Sequence, residues 1–149
     1  MLRTSTALVI FLSACLLVAN CGGGDSGTSP SSSTSSAPYS QTDLRVGTGT
    51  EATAGRRATV NYTLWLYDSG RAENKGTLVE TSVGRQPFVF TLGAGQVIRG
   101  WDQGVVGMKV GGQRRLVLPP ELAYGAAGSP PAIPRNATLV FDIDLLDVQ

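Results

Sequence analysis

The side chains that could do chemistry are few, and their types exclude most covalent mechanisms. The 149-residue chain contains no histidine. This absence removes Ser-His-Asp and Cys-His nucleophilic centres, a zinc site of Cys and His, and the usual general base near neutral pH. Both cysteines, Cys15 and Cys21, lie close to the N-terminus, so the rest of the chain can form neither a disulfide of its own nor a thiolate metal site. Any site there must work without these groups.

The aromatic residues are the remaining candidates, because strand-like alternation turns several of them to the apolar side of their segments. These residues are Tyr62, Phe88, Phe90, Trp101, Tyr124 and Phe141. They could line an apolar ligand pocket, but such a set also suits an ordinary core. The long loop from Pro119 to Pro134 favours a site beside it, since loops carry many binding residues. It contains Tyr124, Gly125, Pro130 and Pro131. The spacing of these residues alone does not distinguish a core from a pocket.

Charge and short motifs exclude several ligand classes. Twelve basic and eleven acidic residues give a net charge of +1, so we expect no nucleic-acid partner. The glycines at 22–24 lack the lysine of a phosphate loop, and the run from Gly93 to Gly95 lacks the third glycine of a dinucleotide fingerprint. Asp142 and Asp144 are predicted to lie along a solvated strand edge, with Asp147 turned away, rather than to form a metal cluster. No metal and no cofactor are expected.

The elements that must position the aromatic residues are predicted to be short strands and one helix. From Thr42 to Gln149, apolar alternation broken by glycine and proline is typical of an antiparallel sheet. A helix is predicted at Arg99–Gly107, where apolar residues recur at helical spacing at Ile98, Trp101, Val105 and Met108. Strands are predicted at Thr42–Gly47, Ala58–Tyr67, Thr77–Thr81, Phe88–Leu92, Gln113–Leu118 and Thr138–Val148. One sheet with one helix across it defines the α+β class.

The N-terminal residues 1–21 are typical of an export signal, because Arg3 precedes an apolar stretch without charge. A cysteine at its end resembles a bacterial lipoprotein signal, in which the new terminal cysteine carries lipid. Cys21 is the favoured position and Cys15 the alternative, while a plain secretory signal or a membrane helix stays open. Residues 22–41, rich in Gly, Ser, Thr and Pro, are predicted to form a flexible tether. We therefore expect an exported protein of the bacterial periplasm or cell envelope, held to a membrane by lipid.

Five motifs follow one another in residues 42–149. They are Tyr62-Thr63, P-F-V-F-T-L-G from Pro87 to Gly93, V-I-R-G-W-D from Val97 to Asp102, L-P-P-E-L-A-Y-G-A-A-G from Leu118 to Gly128, and I-P-R-N-A-T-L-V-F-D-I-D-L-L-D-V from Ile133 to Val148. In this order they resemble the FKBP-type peptidyl-prolyl cis-trans isomerases. The resemblance implies a strongly bent antiparallel sheet of five or six strands wrapped around one short helix, with the active pocket between them.

The resemblance also implies roles for individual residues. Trp101 would form the pocket floor, while the backbone N–H of Ile98 and the hydroxyl of Tyr124 would hold the substrate's carbonyl groups. Glu80 would lie near the rim. The other implied pocket residues are Tyr62, Val79, Phe88, Phe90, Val97, Ala132, Ile133 and Phe141. The implied partners are proline-containing polypeptides and macrolide inhibitors of the FK506 and rapamycin type. Rotation about an X-Pro bond breaks no covalent bond, so the implied site needs no cofactor.

Two departures from the family pattern bear on efficiency. The pair Val79-Glu80 stands where the family usually has Phe-Asp, after a segment lengthened at Asp68–Gly76. Valine would remove a pocket wall, and Glu80 would add a methylene to a carboxylate at the rim. Ala132 stands where a larger aliphatic residue is common. These changes predict reduced turnover, so a prolyl-segment binding module or holdase is the alternative to an efficient isomerase.

Overall fold

A computed structural model describes residues 36–149. Within this part of the chain there are six strands, one α-helix and two short 3-10 turns. The strands are β1 (Ser40–Arg45), β2 (Arg57–Tyr67), β3 (Lys75–Thr81), β4 (Phe88–Thr91), β5 (Gln113–Leu118) and β6 (Leu139–Val148). The helix α1 is Arg99–Gly104, and the 3-10 turns are Ala72–Asn74 and Pro120–Leu122. The predicted export signal, with Cys15 and Cys21, and most of the predicted tether lie outside the described residues.

The strands form one antiparallel sheet in the order β1-β5-β6-β2-β3, and β4 pairs with the first part of β2. Strand β6 is therefore central, with β5 on one side and β2 on the other. The predicted α+β class, with a bent antiparallel sheet and one short helix, is confirmed. No helix among the described residues is long and apolar enough to cross a membrane.

Alternation along β6 builds the face of the sheet that holds the core. Leu139, Phe141, Ile143 and Leu145 are all buried, as the period of two along a strand requires. Helix α1 packs against this face through its glycines. A Cβ atom on Gly100 would lie 2.4 Å from Leu118 Cδ2, and one on Gly104 would lie 2.7 Å from Leu116 Cδ1. The glycines that make α1 a poor isolated helix are thus the residues that let it approach the sheet.

Among the predicted element boundaries that differ from the structure, two have a clear physical reason. The helix ends at Gly104 rather than Gly107, and Gly107 has a left-handed φ of 85° that no longer continues a helix. Strand β1 begins at Ser40, which pairs with Val117, so Ser40 and Gln41 belong to the sheet and not to the tether predicted at 22–41. Their polar side chains gave the sequence no apolar alternation, because all of β1 is an exposed edge strand.

The prediction that Asp142 lies along a solvated strand edge is wrong. Asp142 is buried, and both its oxygens accept hydrogen bonds from Arg115, at 2.7 and 2.9 Å. Lys75 Nζ lies 2.7 Å from Asp142 Oδ2 and also contacts Glu73, in the lengthened segment before β3. Burial opposes ionisation of Asp142, but the hydrogen bonds and charges of Arg115 and Lys75 outweigh it and lower the pKa of this carboxyl group. The cluster therefore ties β3, β5 and β6 together on the outer face of the sheet.

We expect Asp142→Asn to lower the free energy of unfolding at pH 7 by about 3 kcal/mol, because Arg115 and Lys75 lose their buried counter-charge. Half-buried Asp144, which is paired with the exposed Arg45, provides the control, and Asp144→Asn should cost less than about 1 kcal/mol. Urea unfolding measures both.

The pH dependence gives a second readout of the same cluster. The folded-state pKa of Asp142 is lowered. The ionised carboxylate therefore contributes to the free energy of unfolding above its unfolded-state pKa of about 4, and this contribution is lost as pH falls through the folded-state pKa. The difference between the wild type and Asp142→Asn should therefore shrink below about pH 4. An equal difference in acid and at pH 7 would contradict this account.

Candidate active site

An open cavity of about 440 Å³ lies beside helix α1. Its wall comes from β2, β4, β6, the segment before α1, and the loop after β5. The lining residues are Tyr62, Phe88, Gln96, Val97, Ile98, Trp101, Tyr124 and Phe141. All of them except Gln96 belong to the set implied by the family resemblance. The structure thus brings into one cavity residues that are separated by up to 79 positions in the sequence (141 − 62).

Trp101 is the centre of the aromatic cluster. The centroid of its ring lies 5.2 Å from that of Tyr62 and 5.4 Å from that of Phe141, with interplanar angles of 78° and 83°. Phe88 and Phe90 lie 5.9 and 5.5 Å away. Edge-to-face contacts of this kind fix ring positions. The indole Nε1 is buried without a hydrogen-bond partner among the described residues, so Trp101 is held by packing and presents an apolar surface.

The start of helix α1 supplies the polar part of the site. Ile98 is the N-cap residue, and its carbonyl accepts hydrogen bonds from Trp101 N–H at 2.9 Å and Asp102 N–H at 3.3 Å. Within the described part of the chain, no group accepts a hydrogen bond from the Ile98 N–H. Asp102 fixes the preceding loop, since its carboxylate accepts hydrogen bonds from the N–H groups of Gly93 at 3.0 Å and Gly95 at 2.9 Å. A free backbone donor is thereby held at the cavity.

Two phenols and one carboxylate share the rim. Desolvation and the nearby Glu80 carboxylate raise the pKa of Tyr62 to about 12, although the Arg85 charge opposes the shift. The pKa of Tyr124 is raised as well, first by burial and then by Glu80. Because the normal value is about 10, both phenols remain protonated at neutral pH and can donate hydrogen bonds.

Four implied pocket residues, together with Glu80, do not line the cavity. Phe90 is buried behind Phe88, with which it stacks at a centroid distance of 5.8 Å. Ile133 is part of the core, and Ala132 is exposed in the loop. Val79 packs against the core at an irregularity in the pairing of β2 and β3. Glu80 is exposed and acts on the site through its charge rather than as a wall.

Gln96 is the lining residue that the sequence analysis missed. Its side-chain oxygen accepts a hydrogen bond from the Thr91 N–H at 2.9 Å. A glutamine in a glycine-rich turn carries no periodic signal, and only the path of the chain from β4 to α1 brings it to the cavity.

The fold and the cavity define an α+β domain with an apolar, aromatic binding site, and comparison with known proteins identifies its class. A profile of the FKBP-type peptidyl-prolyl cis-trans isomerase family matches residues 48–146. An FK506-binding protein of Neisseria meningitidis (serogroup A, serotype 4A) is 50% identical over 107 residues, covering 71% of this chain and 92% of the relative. The crystal structure of AtFKBP13 is 36% identical with a TM-score of 0.64, covering 74% of this chain and 93% of that chain.

Some relatives are much longer than the matched region. The 46 kDa FK506-binding nuclear protein of Spodoptera frugiperda is 48% identical over 107 residues, covering 72% of this chain but only 24% of the relative. The match thus concerns one domain of such proteins. The chain belongs to the FKBP-type peptidyl-prolyl cis-trans isomerases. The predicted enzyme class, an isomerase of X-Pro peptide bonds, is confirmed.

We expect Glu80→Gln to lower the pKa of Tyr62 from about 12, because the variant removes a neighbouring negative charge. The value should stay above the ordinary value of about 10, since burial is the larger cause of the shift. Ultraviolet titration of phenolate, with Tyr62→Phe to identify the signal, measures it. Glu121→Gln is the control, because Glu121 is exposed and its charge does not act on Tyr62. If the pKa of Tyr62 were unchanged in Glu80→Gln, this would contradict the claim that the Glu80 carboxylate acts on Tyr62 at the rim of the cavity.

Proposed function

We propose that the cavity takes up the prolyl ring of a client polypeptide and catalyses rotation of the preceding X-Pro bond. The observation that carries this proposal is the Trp101 surface, surrounded by four other aromatic rings and without a charged group in the cavity wall. A pyrrolidine ring is apolar and fits such a surface. The same wall removes water from the adjoining amide.

The proposed mechanism needs no nucleophile. The planar amide is stabilised by resonance, and the barrier to rotation is about 18–20 kcal/mol because twisting destroys that resonance. An apolar wall favours the less polar, twisted amide over the planar one. The Ile98 N–H and the Tyr124 hydroxyl would bind carbonyl groups of the client and hold the chain on one side of the bond. Each factor of ten in rate requires about 1.4 kcal/mol.

We also propose that macrolides of the FK506 and rapamycin type occupy the same cavity. Several relatives carry the name FK506-binding protein. A cavity of about 440 Å³ with a mainly aromatic wall is within the range of ordinary small-molecule sites. Such a ligand would compete with prolyl substrates.

The clients and the location of the protein are proposed from its N-terminal sequence. A charged start, an apolar stretch and a cysteine at Cys21 or Cys15 support export and lipid attachment. The Gly/Ser/Thr/Pro-rich residues that follow would let the domain sweep a zone on the order of 20–25 Å from its anchor. We therefore propose that the enzyme assists folding of exported proteins in the bacterial periplasm or cell envelope.

A prolyl-segment binding module or holdase is the second candidate function. Its support is Val79, which packs beside the core and contributes no wall to the cavity. A more open site would hold a prolyl segment but would exclude water less completely, which reduces catalysis before binding.

The test is X-Pro exchange in a prolyl peptide, followed by NMR with the full chain in detergent. We expect acceleration without metal or nucleotide, inhibition by FK506, and a rate nearly constant between about pH 6 and 8, because no histidine titrates and both rim phenols stay protonated.

The two tryptophans of the chain provide a matched pair of variants. Trp101→Leu should lower kcat/KM at least about tenfold, since it removes the cavity floor. Trp65→Leu should leave kcat/KM nearly unchanged, because Trp65 lies under Lys75 and not in the cavity. Circular dichroism checks that both variants are folded. Binding of FK506 without any turnover would support the holdase, and neither binding nor turnover would contradict both functions.

Lipid attachment has a separate test. We expect radiolabelled palmitate to be incorporated into the wild type and lost in Cys21→Ala, or in Cys15→Ala if cleavage occurs there. The protein should then move from the membrane to the soluble fraction, because each buried lipid methylene contributes about 0.8 kcal/mol. Absence of label in the wild type would contradict the lipoprotein proposal and leave the isomerase proposal intact.

A further inference from the structure

Strand β4 has an unpaired row of backbone groups on its outer edge. Successive residues of an antiparallel strand point their N–H and C=O groups alternately toward and away from the partner strand. Leu92 donates inward to Arg56 O at 2.9 Å, whereas Thr91 donates outward to the Gln96 side chain. Val89, two residues before Thr91, therefore points its N–H and C=O outward as well. Among the described residues, no strand or side chain binds these two groups.

The outer edge at Val89 is accessible. Val89 is 45% exposed and Phe88 is 40% exposed. An exposed edge strand is a template for pairing with another extended chain. The edge is also short, because the next outward N–H, that of Thr91, is already bound by Gln96. The structure thus offers one free N–H donor on this edge, that of Val89, rather than a long edge open to aggregation.

This edge is continuous with the cavity. Phe88 is adjacent to Val89 in the chain and lines the cavity wall. Gln96 also lines the cavity, and its orientation is fixed because a backbone N–H can only donate, so the Thr91 bond uses the side-chain oxygen. The Gln96 NH₂ group has no acceptor among the described residues. The cavity and the edge therefore share a border that carries free hydrogen-bonding groups.

We propose that the β4 edge at Val89, bordered by the Gln96 carboxamide, binds the extended backbone of a client polypeptide whose proline occupies the adjoining cavity. The inference rests on the proposed function. It adds a second contact, which involves the backbone of the client and none of its side chains. A backbone contact selects for length and extended conformation rather than for sequence. Long, unfolded prolyl chains would thus be preferred over short prolyl peptides.

The experiment compares the KM of a short peptide, with little beyond the X-Pro pair, and of a long peptide extended on both sides. Wild-type protein should show a lower KM for the long peptide. Val89→Pro removes the outward N–H without removing a hydrogen bond to β2, and proline is tolerated at such an edge position. It should reduce the ratio of the short-peptide KM to the long-peptide KM by about three- to tenfold, the factor that one hydrogen bond contributes to binding. Val89→Ala, which keeps the N–H, should retain the ratio.

Amide hydrogen exchange in the wild type gives a measurement that needs no variant to fold. The Val89 amide should exchange rapidly in the free protein and slowly with the long peptide bound, while the short peptide leaves it fast. Equal KM ratios in Val89→Pro and Val89→Ala, or an unprotected Val89 amide in the long-peptide complex, would overturn the inference. Failure of the wild type to turn over either peptide would instead contradict the proposed function.

Discussion

The close approach of helix α1 to strand β5 is the constraint on which the site depends. Only glycine at positions 100 and 104 leaves room for Leu118 and Leu116, because an added Cβ atom would meet their side chains at 2.4 and 2.7 Å. The approach seats Trp101 against Tyr62 and Phe141. It also places the Ile98 N–H at the cavity. A larger residue at either glycine would push the helix outward and separate the floor of the cavity from its walls.

The distribution of charge over the two faces of the sheet has a related consequence. Buried Asp142 and its partly buried partners Arg115 and Lys75 lie on the outer face of the sheet. The inner face of the same central strand carries Phe141 and the core residues. Because successive residues of a strand point to opposite faces, β6 can hold an ion-pair cluster on one side and an uncharged cavity wall on the other. A dry site is thus compatible with a central strand rich in aspartate.

Much of the fold could be predicted from local sequence patterns. The alternation of β2 and β6 and the apolar spacing around Trp101 indicated the sheet and the helix. The environment of Asp142 could not be predicted, because alternation does not show that β6 is central or that Lys75, the first residue of β3, reaches its outer face. Likewise, no local pattern marks the irregular pairing at Val79 that turns this side chain toward the core.

The site could not be predicted from the spacing of residues alone. Six aromatic residues on apolar faces suited a core as well as a pocket, and the family motifs rather than periodicity distinguished the two. The structure divides the residues that the resemblance implied, since Phe90 and Ile133 belong to the core while Phe88 and Ile98 line the cavity. Gln96 was missed because its place depends on a hydrogen bond from Thr91, a contact between the end of β4 and the following turn that residue types do not encode.

The central claim is that a prolyl ring binds on Trp101, and fluorescence tests it most directly. Trp65→Phe leaves Trp101 as the single tryptophan of a chain that has two. Trp101 is buried among aromatic rings, so a ligand that covers it should change its emission. The account predicts a saturable change with a prolyl peptide and none with the matched alanyl peptide. Prolyl-peptide binding detected by NMR without any change in Trp101 emission would contradict it.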